Sequence, residues 1–79
     1  MPRFYFNLRS SKGFLEDPDG QECESLTAAR EEAILAAREI MASRVKSGKN
    51  PNGSRFEITD ITGQLILTVR FKDAYTTAD

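Results

Sequence analysis

Hydrophobic positions along the chain change period twice. From Arg3 to Arg9, Phe4, Phe6 and Leu8 alternate with Arg3, Tyr5, Asn7 and Arg9, the period-two pattern of a half-buried strand. From Leu26 the step becomes three and four. Leu26, Ala29, Ala33, Ala37 and Ile40 fall on one stripe of a 3.6-residue turn, widened by Ile34, Met41 and Val45 on one side and by Ala36 on the other. Alternation then returns. Phe56 and Ile58 stand against Arg55, Glu57 and Thr59, and Leu65, Leu67, Val69 and Phe71 against Gln64, Ile66, Thr68 and Arg70.

The boundaries follow from turn and cap chemistry. The spacing predicts one helix over Ser25 to Ser47, uninterrupted by Gly or Pro and rich in alanine. Ser25 is the expected N-cap, with Thr27 next in line. Glu22 and Glu24 before the helix, and Arg44 and Lys46 in its last turn, suit the helix dipole, and Gly48 and Pro51 end the run. Ser10-Ser11-Lys12-Gly13 is a turn into a short second strand, Gly13 to Glu16, whose inward residue is either Phe14 or Leu15. Asp17-Pro18-Asp19-Gly20 has the residues of a type I turn. Asp60-Ile61-Thr62-Gly63 closes a hairpin between a third strand, Arg55 to Thr59, and a fourth, Gln64 to Phe71.

The order strand, strand, helix, strand, strand predicts an α+β fold: a ββαββ unit whose four-stranded, mainly antiparallel sheet carries one long helix on one face. Residues 1–72 form the single domain and residues 73–79 a flexible polar tail. Placing the most apolar strands, the first and fourth, at the centre gives a sheet order of 2-1-4-3. Phe4, Phe6, Leu8, Phe56, Ile58, Leu65, Leu67, Val69 and Phe71 are expected beneath the helix, with Ala29, Ala33 and Ala37 letting its axis approach closely. The helix is about 33 Å long at ~1.5 Å per residue, and a strand of this kind covers about 20–24 Å, so one helix end should overhang the sheet.

Composition narrows the chemistry. The 79 residues are 39% hydrophobic and 29% charged, with a formal net charge of −1, which argues against a strongly basic or acidic tail protein. No apolar run is long enough to span a membrane, and the N-terminal residues lack a signal-peptide pattern, so a cytoplasmic protein without a membrane partner is expected. There is no histidine, which removes the usual general base and zinc ligand and every Ser-His or Cys-His arrangement. Neither catalytic residues nor a metal or other cofactor is expected, and the chain reads as a non-enzyme. Cys23 is alone and flanked by Glu22 and Glu24, which disfavour a thiolate. Asp17 and Asp19 lack the further ligands of a calcium loop. The Gly48–Gly53 loop, with its neighbouring lysine, follows a helix C-terminus, where the dipole repels anions, and reads as a connector and not as a phosphate cradle. Arg30, within the apolar arc, reads as a snorkelling side chain.

The opening Met1-Pro2-Arg3-Phe4-Tyr5-Phe6, then Glu16-Asp17-Pro18-Asp19-Gly20, Leu26-Thr27-Ala28-Ala29-Arg30, Phe56-Glu57-Ile58-Thr59-Asp60 and Gly63 form a recognisable set. On these residues the chain resembles a family of short bacterial proteins catalogued only as a domain of unknown function, over roughly residues 1–72. Ser25 stands where an Asp cap is expected in that family, and Arg70 where a proline is usual. The resemblance implies the same ββαββ arrangement and assigns no reaction, cofactor or ligand.

One helix covers one sheet face. The other is expected to carry Arg3, Tyr5, Asn7, Arg9, Arg55, Glu57, Thr59, Gln64, Ile66, Thr68 and Arg70, with four arginines against one glutamate. The outer face of the helix leans acidic through Glu31, Glu32 and Glu39, so a near-neutral chain is electrically two-sided. A protein-interaction module is the leading reading, with Tyr5 and Ile66 as its apolar centre, Arg3, Asn7, Arg9, Arg55 and Arg70 around them, and a second copy or an acidic protein as partner. Single-stranded nucleic acid is disfavoured by the lone aromatic on that face. The plain alternative is a solvated sheet face with no ligand.

Overall fold

The computed structural model describes residues 1–75. Five strands and two helices follow in the order β1 (Arg3–Ser10), β2 (Gly13–Leu15), β3 (Gln21–Glu22), α1 (Leu26–Lys46), β4 (Arg55–Thr59), β5 (Leu65–Arg70) and α2 (Phe71–Ala74). The α+β class stands, as an open antiparallel sheet with one long helix. The helix begins where its cap chemistry requires: the Ser25 hydroxyl oxygen accepts the Ala28 N–H at 3.1 Å. At the other end, Ser47, Gly48 and Lys49 return their N–H groups to the carbonyls of Ser43, Arg44 and Val45, with Gly48 at φ +74°.

The sheet runs β2-β1-β4-β5, with β3 pairing β1 at its start. This corrects the expected order. Of the two C-terminal strands it is β4, the third strand of the sequence pattern, that lies beside β1, and β5, the fourth, forms the edge. Apolar content ranked β5 as central. Its apolar side chains are instead covered on one face by α1 and the following α2, so it needs no second strand neighbour. The short β3, absent from the expected set, pairs Arg3 with Glu22 and Phe4 with Gln21.

The Asp17–Gly20 turn carries the chain from β2 to β3. Asp17 takes the place of a strand partner for β1 between these two pairings. One carboxylate oxygen accepts the Phe6 N–H at 3.1 Å, and the other accepts the N–H groups of Asp19 and Gly20 at 3.3 and 3.2 Å. Asp60 plays a similar part in the β4–β5 hairpin, where its carboxylate accepts from the Thr62 hydroxyl and from the N–H groups of Thr62 and Gln64.

The alanine stripe behaves as the pattern predicts. Ala29, Ala33 and Ala37 are fully buried and join Phe4, Met41, Phe56, Ile58, Val69 and Phe71 in one core. Leu26, at the start of the stripe, is 44% exposed, whereas Arg44 in the last turn packs on Ser54 and the Phe71 ring, so the helix outruns the sheet at its N-terminal end. α1 packs on β4 and β5, and Phe6 and Leu8 on β1 are only partly buried. Leu15 pairs with Leu8 and Phe14 with Arg9. Leu15 is therefore the inward residue of β2, yet it is 68% exposed because the helix does not reach that far.

Two further corrections concern the C-terminal part. Ile58 pairs with Leu67 but Thr59 pairs with Leu65, so Ile66 is an extra residue on β5, a β-bulge. Side-chain parity reverses there. Leu65 moves to the face shared by Thr59 and Tyr5, and Ile66 packs against the core. Phe71 is buried as expected, but it opens α2 and does not end the strand. Its N–H donates to the Ser54 carbonyl at 3.0 Å before the chain turns. Within the expected polar tail, Ala74 is buried against the core, and the Arg38 guanidinium donates to the Ala74 carbonyl at 2.6 Å. The rest of that tail, residues 76–79, lies outside the described residues.

Gly20 supplies a test of this packing. It sits at φ +71°, and a Cβ there would meet the Tyr5 ring at 2.9 Å, Arg3 Cγ at 3.0 Å and the Phe4 carbonyl oxygen at 3.0 Å. Gly63, at φ +87°, has open space around it. Gly63→Ala should cost roughly 1–2 kcal/mol for the left-handed backbone alone, and Gly20→Ala about 1–3 kcal/mol more for the crowding. Urea unfolding of both variants measures the difference; equal midpoints would contradict the close approach at Gly20.

Candidate functional site

The open sheet face is built from rows of side chains that pair across the strands. Phe14, Arg9, Arg55 and Arg70 form one row spanning β2, β1, β4 and β5. The next contains Asn7, Glu57 and Thr68, and the next Tyr5, Thr59 and Leu65. Arg3 stands opposite Glu22. Each arginine expected here is thus on this face, and so is Tyr5.

Glu57 organises the first row. One of its oxygens accepts from Arg9 Nε at 2.8 Å and from Arg55 Nε at 3.0 Å. Its side chain is 17% exposed, against 42% and 46% for the two arginines. These hydrogen bonds, led by the one from Arg9, hold its carboxyl below the usual carboxylate range against the opposing effect of burial. Arg70 is held in the same way, by Nε to Asp73 at 2.9 Å. The Arg9 guanidinium also lies over the Phe14 ring, 4.4 Å from its centroid. Each guanidinium in the row is therefore fixed to a carboxylate through Nε, and its terminal nitrogens make no hydrogen bond among the described residues.

Other members of the expected set are placed differently. Asn7 is 5% exposed. Its amide donates to the Glu57 carbonyl and the Thr59 hydroxyl at 3.1 and 3.3 Å, and its oxygen accepts the Asp17 N–H at 2.9 Å. It staples the Asp17 turn to the sheet and is not offered to a ligand. Asparagine is depleted within strands, and that was the signal in the sequence for a structural amide at this position. Ile66 leaves the face at the bulge, and Leu65, 53% exposed, takes its place beside Tyr5. Tyr5 is half-buried, with its ring against Gly20. Arg3 bridges Glu22 at 3.3 Å and the Asp19 carbonyl at 2.9 Å.

The charge count on this face changes with these partners, since Glu22 and Asp73 come from neighbouring elements to join Glu57. Cations concentrate at one end of the molecule. Arg9, Lys12, Arg44, Lys49, Arg55 and Arg70 gather where α1 ends, β4 begins and β5 closes. Glu22, Glu31 and Glu32 line a cleft at the start of α1 with Cys23 and Arg38. Cys23 is buried, and its thiol is pushed above its ordinary range first by that burial and then by the Glu32 charge. Arg30 is exposed. No group of three or more His, Cys, Asp or Glu side chains is placed to hold a metal, and no helix is long and apolar enough to cross a membrane, among the described residues.

A family model matches residues 3–72: the domain of unknown function DUF6894. The chain belongs to that family. Comparison with curated proteins and with solved structures returns no match.

The Glu57 bridge has a pH signature. Its folded value is depressed, so the stability it contributes is present above the ordinary carboxylate value and is lost as pH falls through the depressed one. Below about pH 5 the native protein should therefore lose stability more steeply than Glu57→Gln. Asp60, also held low by its turn bonds, is common to both proteins and cancels. Parallel acid-stability curves from chemical unfolding would contradict the bridge.

Proposed function

We propose that this chain is a non-enzymatic, cytoplasmic protein-interaction module that binds an acidic segment of a partner protein on the open sheet face. The observation that carries the reading is the row Arg9–Arg55–Arg70, held through Nε by Glu57 and Asp73. A guanidinium anchored at Nε keeps two terminal amino groups that can meet a carboxylate, and its orientation is already fixed before binding. Phe14 at one end of the row and Tyr5 with Leu65 two rows away supply apolar contact beside the charges. A second copy is one acidic partner of this kind, since the opposite end of the molecule carries Glu22, Glu31 and Glu32.

The test uses a polyglutamate peptide and a mixed single-stranded oligonucleotide pool at low salt, with solution mass measured in parallel. Polyglutamate should bind, weaken with salt, and lose about tenfold in affinity with Arg55→Ala, the loss of one charge-assisted contact. The mass should rise above 8.8 kDa with concentration if a second copy serves as the partner. Preference for the oligonucleotide would replace this reading with a nucleic-acid one, and absence of binding by both probes with a constant mass would end it.

A further inference from the structure

A second cleft, of about 540 Å³, lies at the same end of the molecule but is lined by different residues. The turn between β1 and β2 supplies Ser10, Ser11 and Lys12, the last turn of α1 supplies Arg44, and the loop before β4 supplies Lys49, Asn50, Asn52 and Ser54. Among the described residues no carboxylate lines it.

Of its five neutral polar side chains, four, all but Ser11, have an acceptor oxygen occupied from within the protein. The Ser10 hydroxyl oxygen accepts the Lys12 N–H at 3.2 Å, and that of Ser54 accepts Arg44 Nη1 at 2.9 Å. The Asn50 side-chain oxygen accepts the Asn52 N–H at 2.9 Å, and that of Asn52 accepts the Tyr75 hydroxyl at 3.0 Å. What these groups still have to give is donors: two hydroxyl protons and two amide NH2 groups. Arg44 is half-buried and fixed, between Ser54 and the Phe71 ring, 5.1 Å from its centroid. The ammonium groups of Lys12 and Lys49 add flexible positive charge. A lining with three cations, and with most of its neutral side-chain oxygens already engaged, suits a ligand that only accepts.

The helix dipole is the argument against an anion here, because the C-terminus of α1 adjoins the cleft. Three of its last four carbonyls, those of Ser43, Arg44 and Val45, are already engaged by the N–H groups of Ser47, Gly48 and Lys49. That lessens the opposing field, against which stand the full charges of Lys12, Arg44 and Lys49. We infer that this cleft binds the phosphate group of a small phosphorylated molecule. A phosphomonoester carries close to two negative charges and three strong acceptor oxygens, which matches three cations and a donor-rich lining better than a single carboxylate does. This inference is independent of the acidic-partner reading, because the two surfaces share no residue.

The experiment is a titration of isotope-labelled protein followed by NMR, using inorganic phosphate, ribose 5-phosphate, and sodium chloride at matched ionic strength. Inorganic phosphate and ribose 5-phosphate should give saturable shifts confined to residues 10–12 and 49–54. The exposed pair Lys12→Ala with Lys49→Ala should weaken that binding by about tenfold or more, while the spectrum elsewhere stays native. Equal shifts with sodium chloride, no saturation with ribose 5-phosphate, or unchanged affinity in the double variant would each overturn it. Shifts centred on Arg9, Arg55 and Arg70 would do so as well, by placing the anion on the open face.

Discussion

Everything in this structure depends on the close seating of three alanines on two strands. Ala29, Ala33 and Ala37 are fully buried against a core that holds Phe56, Ile58 and Val69. A larger side chain on that stripe would lift the helix from the sheet, since interiors are packed too tightly to absorb added volume freely. Seating α1 over β4 and β5 decides what is left over. It sends Phe14, Arg9, Glu57, Arg55 and Arg70 to the far side, and it leaves β2 beyond helical cover with Leu15 exposed. The final turn of the chain completes the core, as Phe71 and Ala74 close the end that the short strands do not reach.

On the far side, one carboxylate does more than neutralise charge. Arg9 and Arg55 are direct cross-strand neighbours, and like charges so placed repel. Glu57, one step along β4 on the same face, accepts from both through a single oxygen. The same contact that makes the row tolerable also fixes the two forks side by side. Asp73 does this for Arg70 from the helical turn that follows. A surface built this way is held by contacts within the protein, and this distinguishes it from arginines that are merely solvated. At the same end of the molecule, the turn and loop around Arg44 bring Lys12 and Lys49 beside it, so two surfaces with related chemistry lie close together.

Much of this was legible in the residues, and the failures have physical causes. The helix, its Ser25 cap, the alanine stripe and the alternation in β1 and β4 are local signals of period and capping, and they hold because packing agrees with them. Strand order is not a local signal. β5 is rich in Leu, Ile and Val because α1 and α2 cover it, and this reads in sequence like a central strand. The bulge was hidden because Leu65-Ile66-Leu67 fits either parity; the pairing of Thr59 with Leu65 decides it. Asn7 looked like a surface amide because its face is polar, whereas its partners, Asp17 and Thr59, lie ten and fifty-two positions away in the chain. The pairing of Arg70 with Asp73 needed a helical turn that no periodicity announces over four residues.

The most direct measurement is a set of methyl NOEs from the two residues at the parity reversal. With α1 seated over β4 and β5 and the bulge at Ile66, the Ile66 methyls should show NOEs to core side chains, and the Leu65 methyls should show them to Tyr5 or Thr59. Core NOEs from Leu65, with none from Ile66, would contradict this account: strand parity would then run unbroken through β5, and the open face would carry a different set of side chains.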